Sequence, residues 1–292
     1  LSLYGARRDL PSFPTRRSSD LLFADRSLWI PAALFLLLIL LELAVILHLN
    51  HQEFSYSLDD AYIHLALAER IHQGHYGINS GEAAAPSSSI LWPFLLAPFA
   101  GQSWFSWLPL LLNVLAGLVV LAMTGRFWNS FFSARSSGTP ALAANLLMIF
   151  CLNLVGLSFT GMEHLWQLVM TLAIALALLR SDDGREPGAL FFLAVVVGPL
   201  LRYENAGLSA IALLWLLIQR RYRAFIVLSI LTVLPLGLFS LYLHSLGLSW
   251  FPSSVMAKSV SVFGGSSSLI ANLMLNLRSE ERRVGKECRS RW

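Results

Sequence analysis

Apolar residues come in long runs along this chain, and polar residues gather in short clusters between them. Runs at about 28 to 49, 104 to 125, 141 to 160, 164 to 180, 188 to 201, 204 to 219 and 224 to 246 predict seven helices. A helix rises about 1.5 Å per residue, so roughly 20 apolar residues cross the ~30 Å hydrocarbon core of a bilayer. Repetition of such runs predicts an all-α, polytopic membrane protein. An eighth run, Ser89 to Gly101, carries Pro93 and Pro98 and is only about 13 residues long, so it is read as re-entrant or interfacial.

With that run not crossing, the loops sort by charge. Arg26, Arg126, Arg135, Arg180, Arg185, Arg220, Arg221 and Arg223 fall on one side, against Arg70, Arg202 and Lys258 on the other. The Arg-rich side is expected to be cytoplasmic. The non-cytoplasmic side then collects Asp59, Asp60, Glu82, Glu163 and Glu204.

Composition agrees with the pattern, at 56% hydrophobic residues and a mean hydropathy of +0.63. Charge needs a correction first. Arg278 to Glu287 can be encoded by a DNA whose reverse complement encodes Ser12 to Leu21. Matching ends of this kind resemble a sequencing adapter read at both ends of one fragment. Residues 1 to 21 and 278 to 292 are therefore expected to be adapter-derived, leaving 22 to 277 as the N-terminal part of a longer membrane domain. Those ends hold 10 of the 21 Lys and Arg and 5 of the 17 Asp and Glu, so 11 basic residues face 12 acidic ones in between. The basic isoelectric point then gives no support to nucleic-acid binding. Cys151 is the one cysteine left, which excludes an internal disulfide or a cysteine metal site.

The polar clusters carry the candidate chemistry. Asp59 and Asp60 precede Ala61 to Gln73, where Ile63, Leu67 and Ile71 recur every four residues and Glu69, Arg70 and His72 fill another face. This predicts an amphipathic helix lying on the membrane. One Asp can cap that helix while its neighbour serves as a general base. Asn79-Ser-Gly-Glu82 is a turn signal, and the serines of Pro86 to Trp92 suit a cap for the next helix. Glu163 either starts a helix or supports a substrate site. Arg202 either pairs with Glu204 across a tight turn between two short apolar runs or presents a cation near the headgroups. Lys258 either meets a phosphate or anionic lipid. Of seven histidines, His48, His51, His64, His72 and His75 flank the Asp pair. Interfacial histidines without a metal are the commoner case.

Taken together, Asp59-Asp-Ala-Tyr-Ile-His64, Gly74, Asn79, Gly81-Glu82 and Leu91-Trp92 resemble the first outer loop of polyprenyl-phosphate-dependent glycosyltransferases of the GT-C fold. The nearest likeness is to the arabinofuranosyltransferase-like and lipopolysaccharide-glycosyltransferase-like membrane proteins. Gly161-Met-Glu163, Arg202-Tyr-Glu204, and Phe251-Pro252 followed by Ala257-Lys258 resemble later family segments, with departures at Tyr203, Asn205 and Ser253-Ser254. The resemblance implies a GT-C-type bundle in the cytoplasmic membrane with its active site on the non-cytoplasmic side. Its partners would be a polyprenyl-phosphate-linked sugar and a glycan or lipid acceptor. Asp59 is then the first choice for general base, with Asp60 orienting it or holding a divalent cation. Arg202 and Lys258 would bind the donor phosphate, and Tyr62, Glu82, Glu163 and Glu204 the substrates. A secondary transporter, or another non-enzymatic polytopic membrane protein such as a scaffold, is the alternative. Transporters usually place polar groups on broken helices near the midplane, whereas most acids here fall in outer turns.

Overall fold

The computed structural model describes residues 18–79, 81–132, 139–181 and 187–256. Among them every element is helical and none is a strand. In chain order these are α1 (Ser18–Leu49), α2 (Asp60–His72), α3 (Leu91–Leu96), α4 (Leu108–Phe132), α5 (Thr139–Cys151), α6 (Leu154–Ser158), α7 (His164–Ser181), α8 (Ala189–Leu201), α9 (Asn205–Ile218) and α10 (Tyr222–Ser245). Three segments are long and apolar enough to cross a membrane: Arg26–Leu49, Phe105–Phe132 and Tyr222–Ser245. Their outward faces are apolar, with Leu37, Leu40 and Leu41 exposed on α1 and Val233, Leu234 and Leu238 exposed on α10.

Four of the seven expected spans are therefore shorter than full crossings. The run 141 to 160 breaks into α5 and α6, because Asn153 adopts φ 47 and a left-handed residue ends a helix. Helices α8 and α9 have 13 and 14 residues, about 20 Å each. The run Ser89 to Gly101 forms only the six-residue α3 and a 3-10 turn at Ala97–Phe99, too short to cross.

The chain divides into two compact units, Leu1–Glu53 with Gly117–Val155, and Phe54–Ala116 with Gly156–Trp292. In the first, α1 packs against α5. Gly117 leaves room for the Phe35 ring, whose Cζ would lie 2.5 Å from any added Cβ. Asn145 on α5 binds two carbonyls, donating to Ser27 at 3.0 Å and Leu121 at 3.1 Å, and accepts from the Thr124 hydroxyl at 2.6 Å. These neutral bonds satisfy a buried amide and link three helices.

In the second unit, α8 packs against α7, α9 and α10, while α2 rests on α3 and the turn after it. Leu67, Tyr76, Ala85, Ile90, Phe239 and Leu243 form one buried cluster. Loops are anchored by side-chain bonds to main chain. The Tyr56 hydroxyl donates to the Ser106 carbonyl at 2.6 Å, and the Trp92 indole to the Gly161 carbonyl at 3.2 Å. Asn205, a departure from the resembled pattern, is explained by packing: its Oδ1 accepts from Gln167 and Thr171 of α7 at 3.3 and 3.4 Å.

Candidate functional site

The site is built in the second unit from the first turn of α2. Asp59 sits before the helix with φ −70 and ψ −26 and makes no side-chain capping bond. Its carbonyl accepts from the Tyr62 and Ile63 amides at 2.9 and 3.4 Å, so backbone alone closes the turn. The buried face of α2 is Ala61, His64, Leu65, Leu67 and Ala68. The inward face adds Ala61, His64, Leu65 and Ala68 to the expected Leu67, so α2 docks against protein along that side.

Between α2, the serine loop and the turns preceding α7 and α9 lies a cavity of about 230 Å³, lined among others by Asp60, His64, Ser87, His164, Arg202 and Ser254. Asp60 and His64 are one helical turn apart, which puts both on the same wall. Asp59 is not part of the lining.

Behind that wall lies Glu163. The turn carrying it passes close to α2 because Gly161 has φ +67 and its missing Cβ would come within 2.6 Å of Ala61 and 2.8 Å of Tyr56. Glu163 is wholly buried. One carboxylate oxygen, Oε1, accepts from Arg202 Nη1 at 3.1 Å. The other, Oε2, lies 3.5 Å from His64 Nε2 and has no hydrogen-bond partner. Arg202 follows α8 in an extended conformation and forks onto Glu204, with Nη2 at 2.9 Å and Nε at 3.3 Å. Its Nη1 also meets His164 Nδ1 at 3.1 Å.

Electrostatics follow from this packing. Burial pushes the Glu163 carboxyl up, against the pull of Arg202. Burial, with the nearby Arg202 and His164, lowers His64 to about 4, so its imidazole is neutral near pH 7. For Arg202, burial pulls down but Glu204 and Glu163 more than offset it, and the guanidinium is held above its usual range. Charge favours ionised Glu163 and burial favours the neutral acid. Burial prevails at Glu163 because none of it meets water, and the half-exposed Glu204 already compensates Arg202.

Of the residues singled out from sequence, Asp60, Glu163, Arg202 and Glu204 come together in and behind this cavity. Arg202 makes the expected pair with Glu204, and Glu163 shares it. Tyr62 and Glu82 stand apart from the lining. The exposed Tyr62 accepts from the Tyr56 amide at 3.0 Å, and the exposed Glu82 from Asn79 at 3.3 Å. Lys258 lies outside the described residues. No three His, Cys, Asp or Glu side chains form a metal-ligand group among the described residues. With only Asp60 of the Asp pair on the cavity, the residues described do not fit a resident divalent cation. Sequence reading missed His64, His164 and Ser87 as site residues. Spacing held one signal, since His64 is four residues after Asp60.

Comparison with protein-family models, curated proteins and solved structures gives no match for this chain.

Proposed function

We propose that this chain belongs to an inverting membrane glycosyltransferase with a GT-C-type bundle, taking a sugar from a polyprenyl-phosphate donor on the non-cytoplasmic side of the cytoplasmic membrane. The observation that supports it is a free carboxylate, Asp60, opening on a polar cavity in a chain with three bilayer-length helices. In this reading the acceptor hydroxyl gives its proton to Asp60 as its oxygen bonds to the anomeric carbon. The bond from that carbon to the phosphate oxygen breaks, and the phosphate leaves with the electron pair. Asp60 replaces Asp59 as the base because it faces the cavity. Arg202 is committed to the carboxyl groups of Glu204 and Glu163, so its first task is holding the site's walls; Lys258, the other cation the resemblance implies, would supply charge for the phosphate.

The test is turnover by the full-length protein in proteoliposomes given polyprenyl phosphate carrying a labelled sugar and a cell-envelope glycan acceptor. Labelled acceptor and free polyprenyl phosphate are expected; an intact donor after long incubation would reject the reading. Orientation is checked by single cysteines at Gln52 and Ser253, both expected to react with an impermeant thiol reagent from the non-cytoplasmic side. Protection of both would reverse the topology. The buried His64, Glu163 and Arg202 group favours a second reading, a proton-coupled transporter, since ionisable groups inside membrane proteins often serve proton movement. Proton-driven uptake of an unmodified solute, without sugar transfer, would select it.

A further inference from the structure

The orphaned oxygen of Glu163 can be resolved by following hydrogens along the chain of contacts. Ser87 Oγ is 2.7 Å from the Ser89 carbonyl, which can only accept, so the serine's one hydrogen is spent there. The Ser89 amide donates back to Ser87 Oγ at 3.0 Å, taking one lone pair. His64 Nδ1 is 3.3 Å from that same oxygen. Only a hydrogen on Nδ1 makes this contact attractive. In a neutral imidazole Nε2 then carries a lone pair, and it faces Glu163 Oε2. Two lone pairs facing one another in a dry site would repel.

We propose that Glu163 and His64 form a proton-binding site, with a single proton in the gap between Oε2 and Nε2 carried by the Glu163 carboxyl. Every polar atom of the chain is then paired: Glu163 donates to His64, His64 to Ser87, and Ser87 to the Ser89 carbonyl, while Glu163 Oε1 keeps its bond from Arg202. Burial raises the Glu163 carboxyl and lowers the His64 imidazole, and both shifts favour the neutral forms. Other charged or titratable groups facing the pair are Arg202, Glu204, His164 and Asp60. The charged bookkeeping closes with Arg202 balanced by Glu204 alone. Because His64 and Ser87 both line the cavity, proton occupancy at a fully buried carboxyl is linked to the cavity wall. This holds whichever reaction the cavity serves.

Glu163→Gln tests the assignment, since its amide nitrogen replaces the protonated oxygen and its carbonyl still accepts from Arg202. The full-length protein in detergent is expected to melt within about 2 °C of the parent, while Glu163→Ala falls by about 5 °C or more. Equal losses in the two variants would overturn the proposal. Independently, 15N spectra of the histidines at pH 7, with His64 assigned by difference against His64→Gln, should show the neutral Nδ1–H tautomer. An imidazolium or an Nε2–H tautomer at His64 would overturn it even if every variant failed to fold.

Discussion

Each compact unit hides a polar network among apolar helices, but the two networks differ in kind. Around Asn145 the described partners, Ser27, Leu121 and Thr124, are all neutral groups, bonded at 2.6 to 3.1 Å. Around Glu163 an arginine, two glutamates and two histidines meet beside a cavity, and one buried oxygen is paired only when Glu163 carries a proton. A satisfied neutral network joins helices, whereas an ionisable one that must hold a proton to pair its buried oxygen beside open space has a cost that packing alone does not require. Under the proposed function, this contrast assigns the chemistry to the second unit and a scaffolding part to the first.

The most damaging way to break the second network is through its turn. Gly161→Ala places a Cβ against Ala61 and Tyr56 at a positive φ, so left-handed strain and overpacking add to about 3 to 4 kcal/mol. Thermal unfolding should show it, and a change below about 1 kcal/mol would mean that the turn is looser than described.

Next in size is pH. His64 is held at about 4 in the folded chain, against an ordinary 6.5 unfolded, so the unfolded state binds the proton first. The stability this gives is present above pH 6.5 and lost as pH falls towards 4, on the order of 3 kcal/mol by linkage. Denaturant titrations of the parent and of His64→Gln across that window should differ by this limb. Parallel curves would remove His64 from the buried site. Asn145→Leu, by contrast, should lose about 2 kcal/mol equally at every pH, because an amide does not titrate. A pH-dependent loss there would erase the distinction between the networks. At the small end, Glu82→Gln should change stability by less than about 0.5 kcal/mol, as its one bond is solvent-exposed.

Much of this arrangement was legible beforehand because apolar run length and turn residues act locally. The runs gave the positions of the main helices, and the Arg202 to Glu204 pair followed from two residues in one turn. What was not legible depends on distant packing. Asn153 breaks the run 141 to 160 through one left-handed residue that hydropathy does not register. The choice between Asp59 and Asp60 turns on which way α2 rotates, and that is set by Ala61, His64 and Ala68 docking inward. Glu163 and His64 are 99 residues apart in sequence and meet only because Gly161 lets its turn approach α2.

If proton transfer in this cavity is the work of Asp60, as proposed, paired isosteric variants will separate it from Asp59. In reconstituted full-length protein, initial transfer rates from a polyprenyl-phosphate sugar should fall about 100-fold or more in Asp60→Asn, the usual contribution of a general base. Asp59→Asn, altering a carboxylate outside the cavity, should fall by less than about 10-fold. Near-parent turnover in Asp60→Asn, or a loss confined to Asp59→Asn, would contradict the account.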